Sequence, residues 1–412
     1  MSSQQSRADW KVNLIVLSMG QFLVMSGMTM IIPFLPLYLK EMDPTIDIQD
    51  TTLWASWIFA ASYITSFCFQ PLWGYVSDRY GRKLMLLRSG LGMAVVITLM
   101  GFCTSAWQLL ALRLLNGAVA GFAPVAISLM SANAPKEKTG MAMGVLQSAN
   151  VAGTILGPII GGLLAEMFGF RPIFYLTGVL LLLAMIVAMV LLREEHQPSA
   201  SSKQKQGHVS FGESVRAVLK IKTLLALFIV SFIIQFSILA TMPQLPVFVY
   251  ELYGEATGLA LMSGVVSAAA GITTMLLAPA LGKWGDRFGA EKVVYVCLLG
   301  AAFTNLAQAL CDNIWQLILI RMLLGCFIGG LLPPVYSLLR AFTLRGLESQ
   351  TVSLNQSVLN AGSLLGPVAG GLCANLVSVR FVFVLCAVLF LINAIWLRTL
   401  KLHTARQAET SM

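Results

Sequence analysis

The chain contains 412 residues, of which 57 % are hydrophobic and only 11 % are charged, and its net charge is +9. A soluble domain carries about 25 % charged residues, so this composition excludes a soluble globular protein, a disordered chain and a disulfide scaffold. What remains is an integral membrane protein, as the mean hydropathy of +0.80 also indicates.

Apolar runs of about 20 residues, long enough to cross the hydrocarbon core of a membrane as helices, recur along the sequence. We therefore predict an all-α integral membrane protein with twelve transmembrane helices. Because this number is even, both termini lie on the same side of the membrane. In chain order the predicted spans are residues 12–39, 53–76, 84–104, 107–130, 140–166, 172–192, 223–249, 259–281, 293–310, 315–339, 351–375 and 380–400.

The basic residues predict the orientation of these spans. If both termini are cytoplasmic, all but five of the 27 lysines and arginines fall on the cytoplasmic side. Of those five, Lys40, Arg171 and Arg380 lie outside, and Arg113 and Arg321 lie within spans. Lysine and arginine are enriched in cytoplasmic loops, so we predict a multi-pass protein with cytoplasmic termini, and the net charge does not require nucleic-acid binding.

Four motifs occur twice, in the same order and at nearly the same spacing. We therefore predict two pseudo-symmetric six-helix halves, residues 1–192 and 223–412, joined by a cytoplasmic linker of residues 193–222. Parallel halves are typical of transporters, whose substrate sites lie between the halves near the bilayer midplane. The repeated segments are 33–36 with 243–246, 74–81 with 282–289, 107–117 with 315–325, and 157–162 with 366–371, at offsets of 208 to 210 residues.

The short loop between spans 2 and 3 combines two glycines, an aspartate and three basic residues. Glycine permits a tight turn, and the charged groups are suited to helix ends and lipid headgroups. A plain basic loop that only sets topology is the alternative. The pattern resembles the loop 2–3 signature of the major facilitator superfamily, which implies a latch that holds the outward-open state. The latch residues would be Gly74, Asp78, Arg79, Gly81, Arg82 and Lys83, with Asp286 and Arg287 of a second, weaker copy.

Span 4 contains Arg113, followed by Asn116, Gly117 and Gly121. A charge inside a span costs roughly 2.5–3.5 kcal/mol on insertion scales, so it is expected to face protein or water. We predict that Arg113 faces water in a cavity; the alternative is that it snorkels to the outer interface. The segment resembles the span-4 arginine motif of the same superfamily, which implies a role in proton coupling. Arg321 is its repeat mate.

Span 5 carries a run of glycines spaced four residues apart, which places them on one helix face. Such a face lets two helices approach closely, and a proline within it bends the helix. The spacing resembles the antiporter motif of the twelve-span drug:proton antiporter branch of the superfamily. This resemblance implies export of small drugs across the bacterial inner membrane, and hence antibiotic resistance. The motif residues are Gly144, Gly153, Gly157, Pro158, Gly161 and Gly162.

No aspartate or glutamate lies in the middle of any predicted span. A simple carboxylate swap between proton and cationic drug is therefore not expected. Coupling is left to Asp78, Glu166 or water near Arg113. Polar residues within spans tend to face a cavity, and methionines give it adaptable walls. The predicted cavity residues are Gln21, Met25, Met28, Asn116, Gln147, Asn150, Gln235, Phe236, Gln356 and Asn360.

The function predicted from these patterns is proton-driven efflux of small lipophilic drugs by alternating access. An uptake carrier for a metabolite or an anion remains an alternative, with Arg113 as its counter-charge, and a membrane sensor that moves nothing is a second. No enzyme motif, metal cluster or Walker loop appears, so no catalytic residue and no cofactor is expected. The expected partners are drug molecules, protons and membrane lipids but no nucleic acid, and the chain is expected to be a monomer.

Overall fold

The computed structural model describes residues 2–42, 48–133, 139–192, 218, 220–254, 258–343 and 348–400. Almost all of these residues are helical, as expected where no water is present to bond free backbone groups. Twelve segments are long and apolar enough to cross a membrane, which confirms the predicted number. They are Trp10–Met42, Asp50–Phe69, Arg82–Met100, Ala106–Ile127, Met141–Phe168, Arg171–Leu191, Lys222–Tyr253, Leu259–Ala278, Ala290–Ala309, Ile314–Phe342, Leu354–Leu376 and Val379–Thr399; they are called spans 1 to 12 below.

The helices themselves extend beyond some spans and divide others. In chain order they are α1 Ser2–Ile31, α2 Leu35–Met42, α3 Ile48–Tyr80, α4 Arg82–Met100, α5 Ala106–Val119, α6 Phe122–Asn133, α7 Thr139–Phe168 and α8 Arg171–Leu191, then α9 Lys222–Ala240, α10 Leu245–Tyr253, α11 Leu259–Phe288, α12 Ala290–Ala309, α13 Ile314–Ile328, α14 Leu332–Phe342, α15 Glu348–Leu376 and α16 Val379–Thr399.

Spans 1, 4, 7 and 10 are each built from two helices, although each was predicted as one continuous run. Span 1 breaks at a short 3-10 turn, Ile32–Phe34, and span 7 breaks before α10. Both breaks contain the repeated proline pair, Pro33 with Pro36 and Pro243 with Pro246. Proline lacks the backbone donor that continues a helix, so the repeated motif marks the repeated break.

Helices α5 and α13 begin with matching capping boxes, which explains part of the repeat of residues 107–117 at 315–325. The Ser105 hydroxyl accepts a hydrogen bond from the Gln108 backbone N–H, and the Gln108 side chain accepts one from Thr104 N at 2.8 Å. In the second half, Asn313 and Gln316 make the same pair of bonds. Reciprocal bonds of this kind satisfy backbone donors at a helix start.

Close packing divides the chain into two compact units. Unit 1 comprises Met1–Gln204 with Glu255–Ala268, and unit 2 comprises Lys205–Gly254 with Ala269–Met412. In unit 1, span 1 packs on spans 5 and 6, and span 2 packs on span 4. In unit 2, span 7 packs on spans 11 and 12 in the equivalent way. The repeated sequence motifs thus correspond to repeated helix contacts.

Candidate functional site

The glycine face of span 5 lies directly against span 1. A Cβ added at Gly153 would lie 2.6 Å from Phe22 O, and one at Gly161 would lie 2.5 Å from Met30 O. At Gly157 it would meet the Thr29 hydroxyl, which accordingly donates a hydrogen bond across the contact to Gly153 O at 3.1 Å. Only glycine allows backbones to approach so closely.

Unit 2 contains the same contact between spans 11 and 7. A Cβ added at Gly362 would lie 3.1 Å from Phe232 O, and one at Gly366 would lie 2.5 Å from Phe236 O. Gly370 lies against the Ala240 carbonyl. The repeat therefore preserves the backbone contacts, and not only the motif Gly-Pro-x-x-Gly-Gly.

Two other glycines of the span-5 motif, Gly162 and Gly144, differ in how closely they are packed. Gly162 faces the start of α11, where its added Cβ would lie 2.7 Å from Ala260 O. One turn further on, the Glu166 carboxylate accepts a 2.6 Å hydrogen bond from the Gly258 backbone N–H. An added Cβ at Gly144, by contrast, would meet no atom within 4 Å, so close packing does not require that glycine.

Span 2 is tied to span 4 by side chains that donate to backbone carbonyls. Ser62 Oγ donates to Arg113 O at 3.1 Å, Thr65 Oγ1 to Leu114 O at 2.7 Å, and Ser66 Oγ to Gly117 O at 3.1 Å. Two of these bonds recur in unit 2, from Thr273 to Met322 O at 2.7 Å and from Thr274 to Gly325 O at 2.9 Å. The main chain around the span-4 arginine is therefore attached to span 2 by hydrogen bonds.

Arg113 was predicted to face water in a cavity, with snorkelling to the outer interface as the alternative. The structure buries its side chain within unit 1, where it is 4 % exposed. Its Nε and Nη2 atoms have no hydrogen-bond partner. Arg321, the repeat mate, is 3 % exposed, and its Nε also lacks a partner. Each unit thus contains one buried arginine with at least one unbonded nitrogen, at the same position of its span.

The predicted cavity residues of unit 1 fall into two groups. Gln21 and Asn116 are buried, and their side-chain oxygens have no partner. A buried polar atom without a partner is uncommon in a folded protein. The remaining four are not fully buried: Met25, Met28 and Asn150 are half-buried, and Gln147 is exposed.

In unit 2, two of the four predicted cavity residues are bonded to each other and one bonds elsewhere. Gln356 donates to Asn360 at 3.4 Å, and Gln235 donates to Ser363 at 3.0 Å. Phe236 lies at the glycine contact and packs on Phe232, with ring centroids 5.8 Å apart. Sequence reasoning missed Asn355, which is fully buried with neither side-chain atom bonded; its polarity within an apolar span was the available signal.

The predicted latch can be described only in part. The side chains of Gly74, Asp78, Arg79 and Asp286 lie outside the described residues, although the backbone is helical there. Gly81 directly precedes α4 and has φ +99°, and its repeat mate Gly289 directly precedes α12 and has φ +98°. Such positive angles favour glycine, as the predicted tight turn requires. Of the remaining predicted latch residues, Arg82 is half-buried and Arg287 is exposed.

Lys83 was predicted to meet lipid headgroups, but it binds the end of span 6 instead. Its Nζ donates to Met189 O at 2.9 Å and to Leu192 O at 2.6 Å. Met189 lies in the last turn of α8 and Leu192 directly follows the helix, so their carbonyls lack helical partners. A cation at a helix C-terminus also interacts favourably with the helix dipole, so Lys83 anchors span 6 to span 3.

We expect Lys83→Met to lower the thermal stability of the purified protein. The loss of a cation at a helix C-terminus typically costs about 0.3–2 kcal/mol. The midpoint of unfolding followed by intrinsic fluorescence measures the effect. Lys292→Met is the matched control, because Lys292 is exposed and makes no described hydrogen bond. Equal midpoints for the two variants would show that Lys83 does not anchor span 6.

Sequence reasoning also missed the contacts of Arg88. The Arg88 guanidinium stacks 3.5 Å from the Trp73 ring centroid, and Nη2 donates to Val119 O at 3.4 Å. Trp73 Nε1 itself donates to Ala118 O at 2.6 Å. These bonds satisfy carbonyls at the end of α5, where span 4 breaks. The repeat positions in the second half carry no equivalent arginine or tryptophan, so repeat analysis could not find this contact.

Metal and thiol chemistry have little support in the part of the chain that the structure describes. That part contains no group of three or more metal-ligating side chains. Cys103 and Cys311 lie between spans at equivalent repeat positions, and burial raises the pKa of each thiol. A raised pKa makes a thiol a poorer nucleophile and metal ligand.

Two compact units with repeated broken helices, repeated glycine contacts and buried polar groups define the fold of a secondary transporter. The family model of the Major Facilitator Superfamily matches residues 17–276 and 259–411. The chain therefore belongs to the major facilitator superfamily and is a multi-pass membrane transporter, as its loop and glycine motifs indicated.

Two proteins named for multidrug resistance are similar to this chain over almost its whole length. "Multidrug resistance protein MdtG" of Salmonella arizonae is 37 % identical over 396 residues, covering 96 % of this chain and 97 % of that protein. The protein of the same name in Escherichia fergusonii is 36 % identical over 395 residues, 96 % of each chain.

Solved structures show the same fold. The nucleoside transporter NupG has a TM-score of 0.78 at 15 % identity and covers 95 % of this chain and 98 % of its own. A bacterial homologue of the lysosomal transporter Spinster, inward-facing and unoccupied, has a TM-score of 0.77 at 16 % identity, with coverage of 94 % and 96 %.

Proposed function

We propose that this chain is a proton-driven efflux transporter that exports small lipophilic drugs across the bacterial inner membrane by alternating access. The observation that carries the proposal is the 37 % identity, over 96 % of the chain, to proteins named for multidrug resistance. The tight glycine contacts at Gly153, Gly157 and Gly161 support it, because they occupy the spacing of the antiporter motif.

The proposed roles of individual residues follow from position and chemistry. Arg113 takes part in proton coupling, since it is an interior charge without a hydrogen-bond partner at two of its nitrogens. Gln21 and Asn116 contribute polar contacts to the substrate cavity, as buried groups with unbonded oxygens. The loop between spans 2 and 3 acts as a conformational latch together with its repeat.

The organisation that accompanies this function is also a proposal. Residues 1–192 and 223–412 act as two halves joined by the linker 193–222. Both termini are cytoplasmic, in agreement with the distribution of the basic residues. The protein works as a monomer in contact with lipids, and it handles small molecules and protons without nucleic acid or cofactor.

Transport by everted membrane vesicles tests the proposal. Three dansyl compounds share one fluorophore and differ in charge: anionic dansylglycine, its neutral methyl ester and cationic dansylaminoethyl-trimethylammonium. We expect at least one to accumulate in vesicles containing the protein when an inward-acid pH gradient is imposed, and a protonophore to abolish the accumulation. Vesicles lacking the protein are the control.

Each rival predicts a different result in the same experiment. An uptake carrier would move its substrate out of everted vesicles when driven by protons. A membrane sensor would give the same dansyl fluorescence as protein-free vesicles under every gradient. Either outcome contradicts drug efflux.

A further inference from the structure

Span 4 contains a break at Ala120 and Gly121, which separates α5 from α6. Ala120 has extended backbone angles, with φ −60° and ψ +156°, and Gly121 has φ +152°. Pro124 prevents one continuous helix, because it lacks the N–H group that the Ala120 carbonyl would require. A free carbonyl is costly inside a membrane, so the end of α5 requires donors from elsewhere.

Side chains of α3 and α4 supply these donors. Three successive carbonyls at the end of α5 accept their hydrogen bonds: Gly117 O from Ser66 Oγ at 3.1 Å, Ala118 O from Trp73 Nε1 at 2.6 Å, and Val119 O from Arg88 Nη2 at 3.4 Å. The Arg88 guanidinium also stacks 3.5 Å from the Trp73 ring centroid. Trp73 and Arg88 therefore act together, and the pair is called the clamp below.

The equivalent break in span 10 is closed by its own backbone. The N–H groups of Gly329, Gly330 and Leu331 donate to carbonyls three or four residues earlier. The positions of the clamp are occupied there by Leu281 and Val296. A break at this place can thus be closed by backbone turns, whereas the break of unit 1 depends on the positions of two other helices.

The surroundings of the break leave room for α6 to move. The nearest atom to a Cβ added at Gly121 would be Arg88 Nη2, at 3.9 Å. Hydrogen bonds attach α5 to span 2, whereas the buried face of α6 is apolar and consists of Phe122, Val125, Ala126, Leu129 and Met130. Apolar contacts are non-directional, so this face can slide where α5 is held.

The clamp also connects the break to the loop between spans 2 and 3. Trp73 directly precedes Gly74, the first of the predicted latch residues. Arg88 lies in the second turn of α4, which begins directly after Gly81. A movement of this loop would displace a member of the clamp and remove a donor from the end of α5.

We infer that span 4 is hinged at Ala120 and Gly121, and that the clamp is releasable: it holds α6 in the position seen here and links α6 to the loop between spans 2 and 3. The inference rests on the proposed transport by alternating access, in which α6 moves once in each cycle. Trp73 and Arg88 are positioning residues, since they contact the main chain of span 4 and not the substrate.

Fluorine NMR of the purified full-length protein labelled with 5-fluorotryptophan tests this inference. The chain contains eight tryptophans, and Trp73→Phe assigns the Trp73 resonance by its absence. We expect Trp73 to give two exchanging resonances, clamped and released, whose populations shift with at least one of the three dansyl compounds. Trp315, exposed at the start of span 10, is the control and should give one. A single Trp73 resonance that no compound shifts would overturn the inference.

Variants of Arg88 identify the released state. Arg88→Gln should leave only the released resonance, and Arg88→Lys should retain both, because a lysine can also stack on an indole ring. Hydrogen exchange then reports on α6. Arg88→Gln should accelerate exchange in residues 120–126 and leave residues 329–335 unchanged. Unaltered exchange at the start of α6 would contradict control of α6 by the clamp. If the glutamine variant does not fold, the wild-type and lysine spectra decide.

Transport distinguishes a positioning role from a structural one. We expect Arg88→Gln to lower the maximal rate of dansyl accumulation about 10-fold or more and to change KM by less than about 2-fold, because a conformational step can limit turnover. Arg380→Gln is the matched control, since Arg380 also stacks on a ring, Phe248 at 5.5 Å, and donates to Ala309 O at 3.2 Å, but at the end of a span. Equal losses in the two variants would contradict the inference.

The proposed function can fail separately from the hinge. Two exchanging resonances of Trp73 without proton-driven accumulation of any dansyl compound would preserve the hinge and contradict efflux. Proton-driven accumulation with a single, invariant Trp73 resonance would preserve efflux and overturn this inference.

Discussion

Arg113→Ala is expected to abolish proton-driven accumulation of substrate while the amount of protein in the membrane stays near that of the wild type. The contact between spans 2 and 4 uses the backbone carbonyl of Arg113, which accepts a bond from Ser62 at 3.1 Å, and alanine retains that carbonyl. What is lost is the interior charge, whose energy changes most when a proton or an anion arrives nearby. A loss of about 10-fold or more in accumulation is expected from removal of a charged hydrogen-bonding group.

Two assays separate proton coupling from substrate movement. The first measures accumulation under a pH gradient, and the second measures counterflow at saturating substrate without a gradient. We expect Arg113→Ala to lose the first and keep the second, and Arg113→Lys to retain part of both because it keeps the charge but not the planar fork. Accumulation at the wild-type rate would exclude a coupling role. Disappearance of the protein from the membrane would show that the arginine is structural.

Gly157→Leu is expected to reduce transport about 10-fold or more, because any side chain at this position meets span 1. Even a Cβ would press on the Thr29 hydroxyl and lie 2.8 Å from Ser26 O. Overpacking of this kind typically costs about 1–3 kcal/mol, and it holds apart two helices whose backbones are in contact. The measurement is accumulation in everted vesicles, normalised to monodisperse protein by fluorescence-detected gel filtration.

Two other glycines make this prediction specific. Gly144→Leu should be tolerated, because an added Cβ there meets nothing within 4 Å, although Gly144 belongs to the same motif. Gly366→Leu should be as harmful as Gly157→Leu, because its Cβ would lie 2.5 Å from Phe236 O. A harmful change at Gly144 and a harmless one at Gly366 would show that the motif acts by something other than close packing.

Repeat analysis predicted more of the packing than single motifs did. The Gly-Pro-x-x-Gly-Gly segments of spans 5 and 11 were recognised as equivalent from sequence, and the structure places Gly157 and Gly366 against equivalent carbonyls, Ser26 O and Phe236 O. The recurrence of Gln108 as Gln316 likewise corresponds to two capping boxes. A residue pair preserved in both halves satisfies the same local requirement twice, so its role can be inferred without coordinates.

Contacts that occur once were not predictable in this way. Lys83 binds carbonyls more than a hundred residues away, and its repeat mate is Glu291. Arg88 stacks on Trp73 where the second half has no counterpart. Each of these contacts depends on how distant segments pack together, and no local pattern of residue types predicts that packing.

The sequence by itself determined the number of spans, the repeated motifs and the helix faces on which glycines allow close approach, because length, hydropathy and spacing act locally. Only the tertiary structure decided which apolar faces are buried. Leu17 is 1 % exposed and Ile15 is 67 % exposed on the same helix, yet lipid and protein interior are equally apolar, so hydrophobicity cannot distinguish them. Likewise, only the packed helices show that the Arg88 guanidinium stacks on Trp73, with one nitrogen unbonded, whereas Arg113 has two unbonded nitrogens.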